Sequence, residues 1–216
     1  MKLRQKNLFL AALAENADRF DDMMRHMQAV VLDGPQLVQD ERNLLSVAFK
    51  NSIGRRRFAL QVAQRLAKDE TRANSRTSAH YAEEYCKQVV DELETILATS
   101  LCLLESLLIP AAVDLESLVF YLKMKSDHYR YLAHFRHGAT SDYACERARQ
   151  GYGEAEWLAM KLPVTHPLRL SVALNLSVFL HEQMKDPILA RKKARAAFDS
   201  ALQDLEQLQE EKNVRF

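Results

Sequence analysis

Glycine and proline are scarce in this chain, with five of each in 216 residues. That scarcity excludes a turn-rich sandwich or barrel and favours long regular elements, so the chain is read as all-α. Cysteine is rarer still. Cys86, Cys102 and Cys145 are odd in number and widely spaced, which frames no disulfide set and matches no zinc pattern. They read as reduced core or surface thiols. An excess of charge is also missing: 30 Lys and Arg face 29 Asp and Glu, a net charge of +1. No global field steers a nucleic acid or a membrane, and neither is expected as a partner. Long apolar runs are absent too. The most apolar segment, Ile96 to Pro110 (ILATSLCLLESLLIP), is shorter than a bilayer span and interrupted by Glu105, so a buried helix is expected. The start, MKLRQKNLFLAALAENADRF, is basic and then apolar, but charge resumes at Glu15 and no small-residue cleavage signal follows. It reads as an amphipathic helix of a cytoplasmic protein.

What is present is helical periodicity between a few strong breaks. The length suits one domain, or two tightly fused halves. Asp33-Gly34-Pro35, Asp69 to Ser78, Pro110, Gly138 and Pro163 to Pro167 punctuate the chain. The spacing predicts eight helices, near 3–17, 20–32, 39–68, 77–108, 114–136, 141–160, 166–184 and 187–210. Gly151 and Gly153 should weaken the sixth by ~1 kcal/mol each relative to alanine, giving a looser or kinked helix. Ala190 to Leu208 has the apolar spacing of a tetratricopeptide helix, but no 34-residue self-similarity accompanies it.

Three segments carry candidate binding chemistry. In RNLLSVAFKNSIGRRR, Lys50 and Arg57 are seven residues apart and so share a helix face. In VFYLKMKSDHYRYLA, Lys123 and Arg130 repeat that step, with Tyr131 adjacent. Arginine offers a planar fork for two phosphate oxygens, and tyrosine adds a hydroxyl donor. In THPLRLSVALNLSVFLHE, Leu174, Val178 and Glu182 recur at steps of four beside Asn175, an amide able to donate to and accept from a peptide backbone. On spacing alone, a solvated stripe is the favoured reading of the cations, and core positions are the favoured reading of Leu174 and Val178.

Together these stretches resemble the 14-3-3 family. The resemblance rests on Glu41 to Gly54 with the arginines after it, Val119 to Ala133, Thr165 to Leu170, Ala173 to Phe179 and Ala196 to Leu205, and runs in order over nearly the whole chain. It implies a single 14-3-3-like domain over 1–216, an antiparallel helical bundle forming an L-shaped protomer of a cup-shaped dimer. It implies a phosphoserine- or phosphothreonine-dependent peptide-binding adaptor, without enzymatic activity or cofactor, whose groove helices lie within 39–182. Lys50, Arg57, Arg130 and Tyr131 would grip the phosphate, with Lys123 adding positive potential. Asn175 would bond the peptide backbone, Leu174 and Val178 would line the apolar wall, and Glu182 would orient the basic residues or bond the ligand. Residues 1–35, with parts of 57–92, would form the dimer interface through Leu13, Ala17, Arg19, Ala59, Ala63, Leu66, Tyr85 and Glu92. A homodimer is expected, and a heterodimer with a paralogue is compatible. Arg19 and Glu92 would pair between chains, whereas Gln88 stands where a lysine partner for Asp22 is expected.

The chain also departs from the family pattern. It ends in KNVRF after Glu211, so the family's last helix and acidic tail, which complete the peptide clamp and groove wall, have no counterpart in it. His134 stands where the family has a glutamate, implying a more positive pocket, and more so below about pH 6.5. Arg55 and Arg56 are expected in ordinary surface or ion-pair roles. The competing readings are a degenerate dimerising scaffold with weak or no phosphopeptide binding, and a tetratricopeptide-like scaffold for unphosphorylated peptides. Metal binding by His134 and His137 lacks a third ligand at metal spacing, and no glycine-rich phosphate loop is present.

Overall fold

The computed structural model describes residues 2–214, with side chains over 3–206. Its elements are α1 (Lys2–Asn16), α2 (Phe20–Asp33), α3 (Gln39–Arg72), α4 (Arg76–Leu103), α5 (Leu115–Phe135), α6 (Ala139–Ala159), α7 (Pro167–Glu182) and α8 (Pro187–Val214), and no strand occurs among the described residues. The all-α expectation and the eight-helix count hold. The largest departure is at the end of the fourth predicted helix, where Leu104–Leu108 widens into a π-helical turn. There Ile109 N–H donates to Leu104 O (2.9 Å). Pro110 follows, and a proline ring collides with the carbonyl four residues before it in a regular α-helix.

The helices form two compact units, Met1–Ala111 and Ala112–Phe216. In unit 1, α3 packs along α4 and α1 along α2. Leu45, Phe49, Ile53, Met23, Met27, Leu93 and Leu97 are almost wholly buried there. The apolar segment from Ile96 onward is buried as expected, through Ile96, Leu97, Leu101, Leu103, Leu104 and Leu108. Arg4 fastens α1 to its neighbours, donating to Val30 O (2.8 Å) and Gly34 O (3.0 Å) and pairing with Glu41 (2.7 Å). Glu41 also accepts from Val38 N–H (3.1 Å), which satisfies a donor at the start of α3.

In unit 2, α5 packs along α6 and α7 along α8, with α7 also touching both α5 and α6. Asp114 caps α5 by accepting from Ser117 N–H (2.7 Å), Pro167 occupies the first turn of α7, and Asp186 Oδ1 accepts from Leu189 N–H (2.9 Å) at the start of α8. The sixth helix runs unbroken through both glycines, from Ala139 to Ala159. Gly151 is buried, and a Cβ there would stand 2.4 Å from Ser126 Oγ of α5. The glycine lets α5 and α6 approach closely, and that packing offsets its low helix propensity. Gly153 faces open space.

Candidate functional site

Each unit presents one of the two basic pairs on a long helix. In unit 1, Lys50 is exposed on α3, and among the described residues it makes no ion pair; Arg57 is half-buried two turns on. The arginines between them take the ion-pair roles expected. Arg56 donates to both Asp21 oxygens (2.8 and 3.0 Å) and to Glu92 (2.9 Å). The Arg56 bond holds the Asp21 carboxyl below its ordinary pKa, and Asp21 in turn raises that of Arg56. Arg55 lies over the Phe20 ring at 4.7 Å.

In unit 2 the second pair is built around a carboxylate. Asp127 sits on α5 between Lys123 and Arg130, four residues after one and three before the other, so all three share a face. Lys123 Nζ donates to Asp127 Oδ2 (2.9 Å), and Arg130 Nη2 lies 3.8 Å from Oδ1. From α6, the Tyr152 hydroxyl donates to Asp127 and accepts from Arg130 Nε (3.2 Å). From α7, Asn175 Nδ2 donates to both Asp127 oxygens (2.8 Å each). Glu182, also on α7, reaches Arg130 Nη1 at 3.6 Å.

Burial gives this network its force. Asp127 and Arg130 are both buried, and a buried charge persists only when paired and hydrogen-bonded. Burial alone would lower the pKa of the Arg130 guanidinium, but Tyr152, Tyr131 and Asp127 around it more than offset this and hold it raised. Tyr152 is pushed well above the usual phenol range, first by burial and then by Asp127. His128, fully buried beside the network, is driven by burial down to about 4 and is therefore neutral at pH 7. Arg130 also lies over the half-exposed Tyr131 ring at 4.6 Å.

The α7 face resolves an ambiguity left by spacing. Leu174 is 60 % exposed and Val178 is half-buried, so Leu174 is not a core residue. Together with Asn175 they offer a partly apolar surface beside the Asp127 network. His134 is exposed near Gln183 (3.5 Å), next in the chain to Glu182.

Two residues of the network, Asp127 and Tyr152, were missed by the sequence reading. A signal for Asp127 was present: it lies at helical ion-pair spacing from both cations in KMKSDHYR. Tyr152 sits in RQGYGE, where the flanking glycines drew the only notice.

The residues expected at a dimer interface are placed unevenly on unit 1. Leu13 (54 %), Leu66 (51 %) and Tyr85 (52 %) are exposed, as are Ala17 and Arg19, while Ala59 is half-buried. Ala63 is 5 % exposed and offers a partner almost no surface. It belongs to the Leu60, Ala63, Ala67 stripe, which is buried at helical spacing inside unit 1. Its neighbours Phe58 and Val62 are the exposed apolar residues there. Within the chain, Arg19 pairs with Asp22, Asp22 also with Arg25, and Glu92 with Arg56.

Comparison with known proteins finds similarity over most of the chain. The family profile described as 14-3-3 protein matches residues 10–215. The chain is 43 % identical over 210 residues to the checkpoint signal transducer rad25 of Schizosaccharomyces pombe, covering 96 % of this chain and 77 % of that protein. It is 41 % identical to the 14-3-3-like protein GF14-E of Oryza sativa subsp. japonica (96 % and 80 % covered). It is 42 % identical to the 14-3-3 protein epsilon of Drosophila melanogaster (98 % and 81 % covered).

Proposed function

The chain belongs to the 14-3-3 family, whose members are adaptors and not enzymes, and on that premise we propose that it clamps partner proteins at phosphorylated serine or threonine. The observation that carries this reading is the buried, charged Arg130, fixed by Asp127, Tyr152 and Glu182 next to the half-exposed Tyr131. A guanidinium held in that way meets a phosphate with its fork already oriented. A phosphoresidue carries about −1.5 to −2 charges and three acceptor oxygens at pH 7, so it calls for several cations. In this reading Lys50 and Arg57 of α3 grip the phosphate together with Arg130 and Tyr131, as the family resemblance implies, and Lys123 adds positive potential. Asn175 bonds the peptide backbone, Leu174 and Val178 form the apolar wall, and Glu182 orients Arg130. Exposed Leu13, Leu66 and Tyr85 on unit 1 support dimerisation with a second copy or a paralogue. Among the described residues no helix is long and apolar enough to cross a membrane. We place the adaptor in the cytoplasm, with phosphoproteins as its partners and not nucleic acids.

Titration of a phosphoserine peptide and its unphosphorylated twin at two salt concentrations tests the reading. The phosphorylated peptide should bind at least about a hundredfold tighter, a difference of roughly 2.7 kcal/mol. Equal binding of the two peptides, or binding abolished alike by salt, overturns it.

A further inference from the structure

We propose that Asp127 is the positioning residue of the ligand face on unit 2: without touching the ligand, its carboxylate sets the Asn175 amide and the Lys123 and Arg130 head groups in register for a phosphorylated peptide. The inference rests on the reading given under Proposed function and deepens it.

Three helices meet on this one carboxylate. α5 contributes Lys123 (2.9 Å) and Arg130 (3.8 Å), α6 the Tyr152 hydroxyl, and α7 the Asn175 amide. The Asn175 geometry is the most specific consequence. Both Asp127 oxygens accept from Nδ2, at 2.8 Å each, so the nitrogen edge of the amide faces the carboxylate. Turned the other way, the amide would set its own carbonyl oxygen against an anion. Asp127 therefore decides which end of Asn175 is presented, and it leaves Oδ1 to accept from a peptide N–H. On α5, the same carboxylate holds two flexible side chains in one arrangement before any ligand arrives. Ordering a long side chain costs conformational entropy, and that cost is already met in the free protein.

Asp127 also opposes phosphate by charge: with Glu182 paired to Arg130 as well, Lys123, Arg130, Asp127 and Glu182 are together neutral, and without the Asp127 charge they would carry +1. Its two effects on a phosphorylated ligand are opposite in sign, which makes the proposal decidable. Asp127→Asn removes the anion while nearly keeping the shape. If charge alone mattered, phosphopeptide binding would tighten. If positioning dominates, binding weakens, because the introduced amide brings a donor into a site where Lys123, Asn175 and Tyr152 all donate.

The experiment uses the full chain and anisotropy of a labelled phosphoserine peptide, with phenyl phosphate as a competitor that has no peptide backbone. Asp127→Asn is expected to weaken peptide binding about tenfold or more and phenyl phosphate binding distinctly less, with helicity unchanged. Equal or tighter peptide binding by the folded variant overturns the proposal, as do equal losses for both ligands, which denote a merely structural role. Tyr152→Phe keeps the ring against Phe179 (5.4 Å) and removes one bond to Asp127. It should weaken peptide binding about threefold, and it decides the matter if the amide variant does not fold, unchanged binding then counting against the proposal. Failure of the wild type to distinguish the phosphorylated peptide from its twin would instead overturn the adaptor reading, and this inference with it.

Discussion

Unit 1 and unit 2 each carry two cations seven residues apart on a long helix, but they hold them differently. On α3, Lys50 stands exposed without an ion pair among the described residues, and the strong pairing on that helix goes to Arg56, which Asp21 and Glu92 tie into the unit's own packing. On α5, Lys123 and Arg130 are fastened to a buried carboxylate that also collects Tyr152 and Asn175. The same sequence spacing thus yields an exposed lysine in one unit and a preset cradle in the other. What separates them is a third residue: Asp127 falls between the α5 pair, whereas Ile53 and Gly54 occupy the corresponding stretch between Lys50 and Arg57. A preset cradle supplies direction, and an exposed lysine supplies charge at the cost of ordering its stem on binding.

The largest effect expected from breaking this contrast comes from the exposed side. On the proposed reading, Lys50→Glu swings by two units the charge that Lys50 offers to a phosphate, at an exposed position that makes no ion pair among the described residues. Phosphopeptide binding should fall by about a thousandfold or more, with helicity and melting unchanged, since truncating one partner of a charge pair that becomes buried on binding costs about 2 to 5 kcal/mol, and the glutamate adds repulsion. Superimposable calorimetric titrations of variant and wild type would remove Lys50 from the site.

A smaller effect separates the units by pH. His128, fully buried in unit 2, has its pKa lowered by burial to about 4, while in the unfolded chain it titrates near 6.5. Between those values the unfolded state takes up a proton that the fold refuses, so stability falls as pH drops, by about 3 kcal/mol in all. The Asp21 carboxyl of unit 1, held low by its bond from Arg56, acts in a lower window. Its stabilising contribution is present above its ordinary value of 3.8 and is lost only as pH falls through its lowered one. Unit 2 should therefore loosen first on acidification. Hydrogen exchange at pH 7 and pH 5 should show protection falling on α5 before α3. His128→Gln should flatten the fall in melting temperature over that range, and an unaltered pH profile would refute the assignment.

Much of the fold was legible because apolar periodicity and the few breaks carry it: Gly34-Pro35, Pro110 and Gly138 do end or separate helices as read. The π-helical turn before Pro110 was not legible, since the proline marks a helix end without saying how the last turn accommodates it. At the site, Lys123, Arg130 and Asn175 were picked out by chemistry and spacing on single helices. Tyr152 was not, because its role depends on the contact of α6 with α5, which no one-helix spacing encodes; Asp127 stood at ion-pair spacing from both cations, but its bonds from Tyr152 and Asn175 arise only where α6 and α7 meet α5. Ala63 shows the converse limit. An alanine on a long helix suits a partner chain and an internal stripe equally, and only the packing of α3 on α4 assigns it to the stripe.

The α6 glycines carry the smallest effect and the most local test of how unit 2 holds its cradle. The sequence treats Gly151 and Gly153 alike, as two residues that each weaken a helix; the structure separates them. A methyl group at 151 would meet Ser126 Oγ at 2.4 Å, and Ser126 cannot turn away freely because that hydroxyl donates to Leu122 O (2.7 Å). Overpacking of this kind costs typically about 1 to 3 kcal/mol, against a gain in helix propensity of about 1. At 153 nothing lies within 4 Å, so the propensity gain stands alone. Gly151→Ala should therefore lower the stability of the chain by about 1 kcal/mol in urea denaturation, and Gly153→Ala should raise it by a similar amount. The first should also weaken phosphopeptide binding slightly, because Tyr152, adjacent in the chain, would be displaced from Asp127 and Arg130, while the second should leave binding unchanged. Shifts of the same sign in both variants would mean that the α5–α6 contact tolerates separation, and that the cradle's geometry does not depend on the close approach at Gly151.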